Sequence, residues 1–130
     1  MANEGAAMLT VDLASHPAAE VEEFQSSGAE AAELVAGQGE VHVHVLRIRA
    51  GGAIGTHEAG FDQLFVVVSG AGWLSGPGGR VELAAGQAGR VRRGEMHSKG
   101  ATTDMVALIV QVTRLGSGQE PDAPGHASPA

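Results

Sequence analysis

The sequence of 130 residues is long enough for one domain with its own hydrophobic core, and it contains no cysteine, which excludes disulfide bonds and thiolate metal sites. Its net charge of −7 and its aromatic content of 3% argue against a nucleic-acid partner, because nucleic acids are usually bound by basic surfaces and stacking rings. The longest apolar run, 105–110, is too short to cross a membrane, and the N-terminus lacks the features of a secretory signal, so a cytoplasmic protein is expected.

The charge is distributed unevenly along the chain. Residues 1–40 contain eight acidic residues and no lysine or arginine, whereas residues 41–114 contain all eight basic residues and five acidic ones. The middle of the chain is therefore mildly basic, a balance that could favour a small anionic ligand.

The first forty residues are interpreted as an extension that packs on the main domain. Residues 8–13 form a short alternating segment, typical of an edge strand. Residues 15–24 are typical of a short helix, because Pro17 suits the first helical position and the glutamates suit the first turns. Residues 29–35 are ambiguous, since their alanine and glutamate content favours a helix. The glycines of the following segment, 36–39, indicate a hairpin turn, and a strand is the interpretation we favour.

From residue 41 onward the pattern predicts β-strands. Residues 41–49 alternate, so that one face of the strand carries His42, His44, Leu46 and Ile48. The residue types predict further strands, separated by a hairpin turn at 76–79, over 63–68, 71–75, 80–83, 87–92 and 104–113. Twenty glycines divide these short strands, which predicts an all-β sandwich or barrel.

Two of the predicted strands, 64–68 and 105–112, are apolar on both faces. One face of each should line the barrel. The other face must be covered, either by the N-terminal segment or by a second subunit, and on that ground we predict a homodimer. The barrel is expected over 41–115, followed by a disordered tail at 116–130, which has no aromatic or large aliphatic side chain to bury.

Two histidines lie in similar glycine-punctuated segments of the chain. The first segment contains, in order, Gly51, His57, Ala59, Gln63 and Gly70, and the second contains Gly86, Arg92, Gly94, His97 and Ala101. These spacings resemble the two motifs of the cupins, G-x5-H-x-H-x3-E-x6-G and G-x5-P-x-G-x2-H-x3-N. The resemblance implies a double-stranded β-helix, or jelly-roll barrel, that is usually dimeric and commonly holds a divalent metal at its centre.

The sequence departs from the cupin motifs at the positions of two metal ligands. Ala59 stands where the second histidine is usual, and Gln63 stands where the glutamate is usual. The resemblance therefore implies His57, Gln63 and His97 as the metal ligands. The expected cofactor is a divalent ion of Zn, Fe, Ni, Mn or Cu. Imidazole suits Zn, Cu, Fe and Ni, but the carboxylate of the usual two-histidine iron site is missing. His42 or His44 could supply a further ligand, and the alternative is two internally satisfied histidines in a degenerate barrel.

Other side chains are weaker candidates for binding a ligand. An apolar barrel mouth is typical of small-molecule sites, and the candidates for lining it are His44, Phe65, Trp73 and Met105, although the last three are most simply core residues. The arginines at 90, 92 and 93 could guide an anion or pair with the acidic N-terminal segment. Glu95 could act as an acid or base near His97, or lie solvated in a turn.

Three functions agree with the sequence. The first is a small cupin with a divalent metal, acting as a dioxygenase-type or isomerase-type enzyme on a small metabolite. The second is a non-enzymatic cupin that binds a small molecule with a weak metal or none. The third is a dimeric scaffold whose pocket is vestigial, because a fold alone does not select a function.

Overall fold

The computed structural model of the protein describes residues 8–117, which are almost entirely β-structure. Their eleven strands are β1 (Thr10–Asp12), β2 (Ala19–Glu20), β3 (Glu30–Ala31), β4 (Val35–Ile48), β5 (Ala53–Glu58), β6 (Asp62–Ser69), β7 (Ala71–Gly76), β8 (Gly79–Ala84), β9 (Gln87–Val91), β10 (Met96–Ala101) and β11 (Met105–Ser117). None of these residues forms a helix with the length and hydropathy needed to span a membrane.

Two antiparallel sheets face each other across the core. The first sheet has the strand order β1-β9-β6-β11-β4, and the second has the order β5-β10-β7-β8. Side chains from both sheets meet in one buried cluster, whose fully enclosed members include Phe65, Leu74 and Met105. Because alternate residues of a strand point to opposite faces, each sheet has one face directed into this core. The predicted all-β jelly-roll architecture is confirmed.

The outer face of the first sheet has a second, smaller apolar cluster. Leu64, Ala88, Val112 and Leu115 are buried there. Val11, Leu34 and Val35 of the N-terminal segment pack against them, and β1 pairs with β9 at the sheet edge. The N-terminal segment therefore covers part of the apolar outer surface, one of the two solutions that the sequence allowed.

The predicted N-terminal helix is wrong. Residues 15–24 contain a turn and strand β2, followed by a single 3₁₀ turn at Glu23–Gln25, in which Phe24 and Gln25 have positive φ. Proline and glutamate placement favours a helix locally, but so short a helix is stable only when an apolar face packs against the domain. Almost every side chain in this segment is exposed, including Phe24, so that packing is absent.

The predicted hairpin turn at 36–39 is also wrong. Strand β4 runs through these residues without a break, and the pairing of β11 with β4 shifts register opposite them, between Val112 and Arg114. Gly39 has a φ of 100°, as glycines in β-bulges often do. The glycines therefore mark a bulge within one long strand.

At the other end of the chain, β11 continues to Ser117, two residues past the predicted barrel boundary. The rest of the predicted disordered tail, 118–130, lies outside the described residues.

Candidate functional site

Two connections between strands meet at one end of the barrel. The backbone N–H of Ala59 donates to the carbonyl of Glu95 at 2.9 Å, and the N–H of Gly94 donates to the carbonyl of Ala59 at 2.8 Å. Asp62 accepts a 2.7 Å hydrogen bond from the backbone N–H of Arg93. These bonds hold the β5–β6 connection against the β9–β10 connection, so the end of β5 and the beginnings of β6 and β10 lie together.

His57 and His97 form a cross-strand pair at this end. They are register partners in the β5–β10 ladder, and their ring centroids are 4.4 Å apart. His57 is exposed, and its Nδ1 lies 2.8 Å from the carbonyl oxygen of Gly55. Because a carbonyl only accepts, Nδ1 carries the proton in this contact and Nε2 keeps a free lone pair. The contact with the backbone thus leaves Nε2 of His57 as the nitrogen that can bind a metal ion or accept a hydrogen bond from a ligand.

His97 lies beneath the surface and is only 1% exposed. Burial lowers its pKa to about 4, with smaller contributions from Lys99 and His57, so the ring is neutral at pH 7. Within residues 8–117, neither ring nitrogen has a hydrogen-bond partner. A neutral imidazole has one N–H and one lone pair, and leaving a buried polar group unsatisfied costs about 1–3 kcal/mol. The ring is therefore placed to receive a ligand.

Gln63 enters the barrel interior from the facing sheet. It alternates with Phe65 and Val67, which belong to the inner core, and its side chain is only 3% exposed. Its amide oxygen has no hydrogen-bond partner among the described residues. Gln111 is its register partner on β11, and His42 is the next residue of the same row on β4. The inner face of this sheet is therefore polar at the end where His57 and His97 lie.

Lys99 is a member of the site that the sequence analysis missed. It is the only lysine in the chain, yet it is only 3% exposed. Its register partners on either side are Ile54 and Leu74, both part of the inner core. Its Nζ lies 5.5 Å from the ring centroid of Phe65, and it forms no hydrogen bond or ion pair within the described part of the chain.

Burial lowers the pKa of Lys99 to about 8, so the ammonium is still the main form at pH 7. The signal for this residue was present in the sequence. A lysine two residues after His97 on one strand shares its face by alternation. The family motifs do not include that position, and a motif search passes over it.

Two of the three apolar residues predicted to line the ligand site, Trp73 and Met105, lie away from His57 and His97. Trp73 alternates with the inward Leu74 and lies on the outer face, where the guanidinium carbon of Arg80 is 4.0 Å from its ring centroid. The structure therefore does not bring Trp73 into the barrel. Met105 is a core residue that pairs with Ile48, about 20 Å along β11 from the row of Gln63. Phe65 alone of these apolar candidates lies beside the site.

His42 and His44, the two histidines considered as further ligands, lie on the inner face of β4, but they do not form a metal-binding cluster. His42 contacts the Glu40 carboxylate at 2.7 Å, and its ring centroid is 6.3 Å from that of the exposed His44. Among residues 8–117, no group of three or more histidine, aspartate or glutamate side chains is placed to hold a metal. A further protein ligand from these two positions is therefore not assembled.

The charged candidates near His97 are occupied in other contacts. The carboxylate of Glu95 accepts a 2.9 Å bond from the backbone N–H of Arg92, as in a local turn. The Arg90 guanidinium donates to the carbonyl of Leu115. Arg92 and Arg93 are exposed. Thus Glu95 and Arg90 have structural contacts, whereas the buried Lys99 forms no ion pair within residues 8–117.

The chemistry of the donors fits a metal ion that accepts imidazole. With metal–nitrogen bonds of about 2.0–2.1 Å, two imidazoles bound at right angles have ring centroids roughly 4.5 Å apart. The His57–His97 separation of 4.4 Å agrees with that arrangement. Gln63 offers a third donor, an amide oxygen that is weaker than a carboxylate and leaves the set neutral. Such a site would hold a metal less tightly than one containing the usual glutamate.

Comparison with solved structures supports the architecture. The chain is similar to a conserved protein of unknown function from Streptococcus pyogenes, with a TM-score of 0.55, 22% identity, and coverage of 59% of this chain and 68% of that one. It is similar to salicylate 1,2-dioxygenase from Pseudoaminobacter salicylatoxidans, solved with gentisate, with a TM-score of 0.54, 20% identity, and coverage of 62% and 24%.

A third similar structure is a predicted oxalate decarboxylase from Thermotoga maritima, with a TM-score of 0.51, 26% identity, and coverage of 54% of this chain and 64% of that one. No family model matches the chain, and no curated protein matches it. The structural similarities establish a cupin-type fold for the chain.

Proposed function

We propose that this cupin-fold protein binds a small molecule at the open end of its barrel, together with a divalent metal ion held by His57, His97 and Gln63. The observation that carries the proposal is the state of His97. This ring is buried and neutral, has no partner for either nitrogen within residues 8–117, and lies 4.4 Å from His57. A ligand or metal would supply the missing interaction.

A bound metal would supply Lewis-acid chemistry, polarising an oxygen of the ligand. The chain's own residues orient and enclose that ligand. The Gly55 carbonyl fixes the tautomer of His57, a contact that metal-bound histidines commonly make through their second nitrogen. Phe65 and Leu74 exclude water from the deep side of the site. A dioxygenase-type or isomerase-type reaction agrees with this arrangement, and no residue in it selects between them.

The experiment is metal analysis of protein purified without chelator and without a nickel resin. The wild type is expected to carry metal, or to bind added Zn, Fe, Ni, Mn or Cu with a rise in melting temperature. The His57→Ala, His97→Ala double variant should lose this response. His16→Ala, which removes a histidine from the N-terminal segment, is the matched control and should keep it. Absence of any metal and of any thermal shift in the wild type would refute the metal part of the proposal.

The second candidate is a non-enzymatic binding protein with a weak metal or none. Two observations favour it: the absence of a three-residue acid or histidine cluster within residues 8–117, and the Lys99 ammonium two residues from His97. A cation in the interior opposes a second cation nearby. Ligand binding that is unchanged after metal removal by a chelator would select this candidate over the first.

Two of the similar structures are named for enzymes of small acids. The dioxygenase is named for salicylate and was solved with gentisate, and the other enzyme is a predicted oxalate decarboxylase. These molecules carry carboxylate groups at neutral pH. They support a small-molecule ligand for this barrel, and they do not transfer a reaction to it.

We also propose that the protein is a homodimer that associates through β4. This 14-residue strand is the edge of the first sheet, and Val41, Val43 and Val45 are each more than half exposed on it. A long edge strand with an apolar stripe is a ready surface for pairing. A second copy would cover this stripe, which the described part of the N-terminal segment leaves exposed.

A further inference from the structure

The barrel interior has an imbalance of charge that the metal hypothesis does not explain. Lys99 lies between Ile54 and Leu74 in its sheet, and its ammonium nitrogen is 5.5 Å from the ring centroid of Phe65. Burying an ammonium away from water is costly unless an anion accompanies it. A ring at 5.5 Å provides only partial compensation, on the order of one hydrogen bond.

The described acidic side chains near this end of the barrel do not pair with Lys99. The two oxygens of Asp62 accept bonds from the backbone N–H groups of Arg93 and Leu115, at 2.7 and 2.8 Å. Glu95 is bonded to the backbone of Arg92, and Glu58 is exposed. Within residues 8–117, no carboxylate forms an ion pair with Lys99. Among the described residues, therefore, none supplies a negative charge that would neutralise the ammonium.

We propose that the ligand of this barrel is a small carboxylate whose anionic group is held by Lys99. This inference rests on the proposed function in one respect, that the barrel binds a small molecule. It adds the chemical class of that molecule and a binding residue that the family motifs do not contain.

The groups around Lys99 match a carboxylate in number and kind. One oxygen can accept from the ammonium, and the other can accept from the N–H of His97, which lies two residues away on the same face of β10. The apolar side chains beside Lys99 suit the hydrocarbon part of an organic acid. A single ammonium balances one negative charge, so inorganic phosphate, with about two, fits less well. The ligand would also bring to the site the acidic oxygen that Gln63 lacks.

The test uses the fact that Lys99 is the only lysine in the chain. Protein labelled with ¹³C and ¹⁵N in lysine alone gives one side-chain resonance, which reports on this ammonium directly. At fixed pH, monoanionic acids are compared with their neutral amides: benzoate with benzamide, salicylate with salicylamide, and oxamate with oxamide. At least one acid should shift the Lys99 resonance to saturation, while its amide and inorganic phosphate should not.

Variants separate the charge of Lys99 from its shape. Lys99→Met should weaken binding of that acid about 10- to 100-fold, the usual loss for a charge-assisted bond, as measured by calorimetry. Lys99→Arg, which keeps the charge, should lose less. Arg49→Met, which removes an exposed arginine, is the control and should bind like the wild type.

Either of two results would overturn the inference: no acid shifts the Lys99 resonance, or the amides bind as well as the acids. These outcomes are independent of the metal proposal. Titrations in the presence of a chelator show whether carboxylate binding needs metal, and metal binding by the Lys99→Met variant shows whether the His57–His97 pair works without the ammonium. A protein that binds metal and no carboxylate retains the metal part of the proposed function and loses this inference.

Discussion

Replacing Lys99 by methionine is expected to stabilise the ligand-free protein, although the residue is buried and its removal would ordinarily be harmful. Burial lowers the pKa of Lys99 from 10.5 to about 8. At about 1.4 kcal/mol per pH unit, this corresponds to a cost of about 3 kcal/mol for keeping the ammonium inside the barrel at pH 7. Methionine has a similar unbranched length and no charge, so it removes this cost and keeps most of the packing.

The pH dependence follows from the direction of the pKa change. The folded protein binds the Lys99 proton less tightly than the unfolded chain does, so the unfolded state holds more protons between pH 8 and 10.5. The stability of the wild type therefore rises with pH over this window. Below pH 8 the cost is fully present, and above 10.5 it disappears. The advantage of Lys99→Met should be about 3 kcal/mol at pH 7 and should shrink by pH 10.

Urea unfolding at several pH values between 7 and 10, with a chelator present, measures this difference. Arg49→Met is the control, because an exposed arginine contributes little and its loss should change stability by less than about 0.5 kcal/mol. The reasoning would be refuted if Lys99→Met were less stable than the wild type at pH 7. It would also fail if the difference were the same at pH 7 and pH 10, since the charge would then not be its cause.

Three further predictions test the histidine, the packing and the assembly. In chelator-treated protein, His97 should lower the free energy of unfolding by about 3 kcal/mol as the pH falls from 6.5 to about 4, because in this range only the unfolded state takes up its proton. Urea unfolding of His97→Phe should lack this part of the acid dependence. An unchanged dependence of its stability on pH would contradict the prediction. Gly72→Ala would place a Cβ 2.1 Å from the carbonyl oxygen of Gly100 and should lower the stability by about 3 kcal/mol or more. Gly55→Ala is the control, because its Cβ meets no atom within 4 Å, and it should melt like the wild type. Sedimentation should show a dimer that Val43→Asp converts to a monomer, and a monomeric wild type at micromolar concentration would refute the proposed interface.

The fold could be predicted because the glycines of the two motifs lie at positions whose backbone conformation favours glycine. Gly51, Gly70, Gly86 and Gly94 all have positive φ, a region that residues with side chains rarely enter. At Gly70 there is also no room, since a Cβ would lie 2.0 Å from the carbonyl oxygen of Asp104. The spacing of these glycines thus records the positions of the turns, and the turns fix which strands can pair.

Strands β5 and β10 were harder to predict than the apolar strands. Their sequences are rich in glycine, alanine, serine and charged or polar residues, which are not strong strand formers. They are extended because they pair with each other, and because β10 also pairs with β7. Tertiary pairing of this kind overrides local propensity. At 15–24 the missing tertiary contacts had the opposite result: the residues favour a helix locally, but they have no surface to pack against and form none.

The candidate site was predicted in part for a related reason. Spacing located His57 and His97, because the motif records residues that a barrel of this kind places at one end. It gave no information about Lys99, whose importance depends on a property that emerges only in the folded chain, namely burial without an acidic partner. Trp73 was misplaced because its strand alternation could not be anchored to the interior before the partner strands were known.

Gln63 connects the proposed metal site with the proposed carboxylate site. Because its side chain is neutral, it leaves the positive charge of Lys99 in the barrel interior without a carboxylate from this position. A glutamate at this position would place a carboxylate on the inner face, two residues from the Phe65 ring that lies near the Lys99 ammonium. It would neutralise the ammonium and complete a two-histidine, one-carboxylate donor set. We therefore expect Gln63→Glu to bind divalent metal about tenfold more tightly or better, the factor that about 1.4 kcal/mol of added attraction gives, and to lose binding of small carboxylates. Titrations with zinc and with the acid that binds the wild type measure both changes. If Gln63→Glu kept its carboxylate affinity, the site for the acid would not be the one that Lys99 and Gln63 share, and the coupling between the missing glutamate and the buried lysine would be disproved.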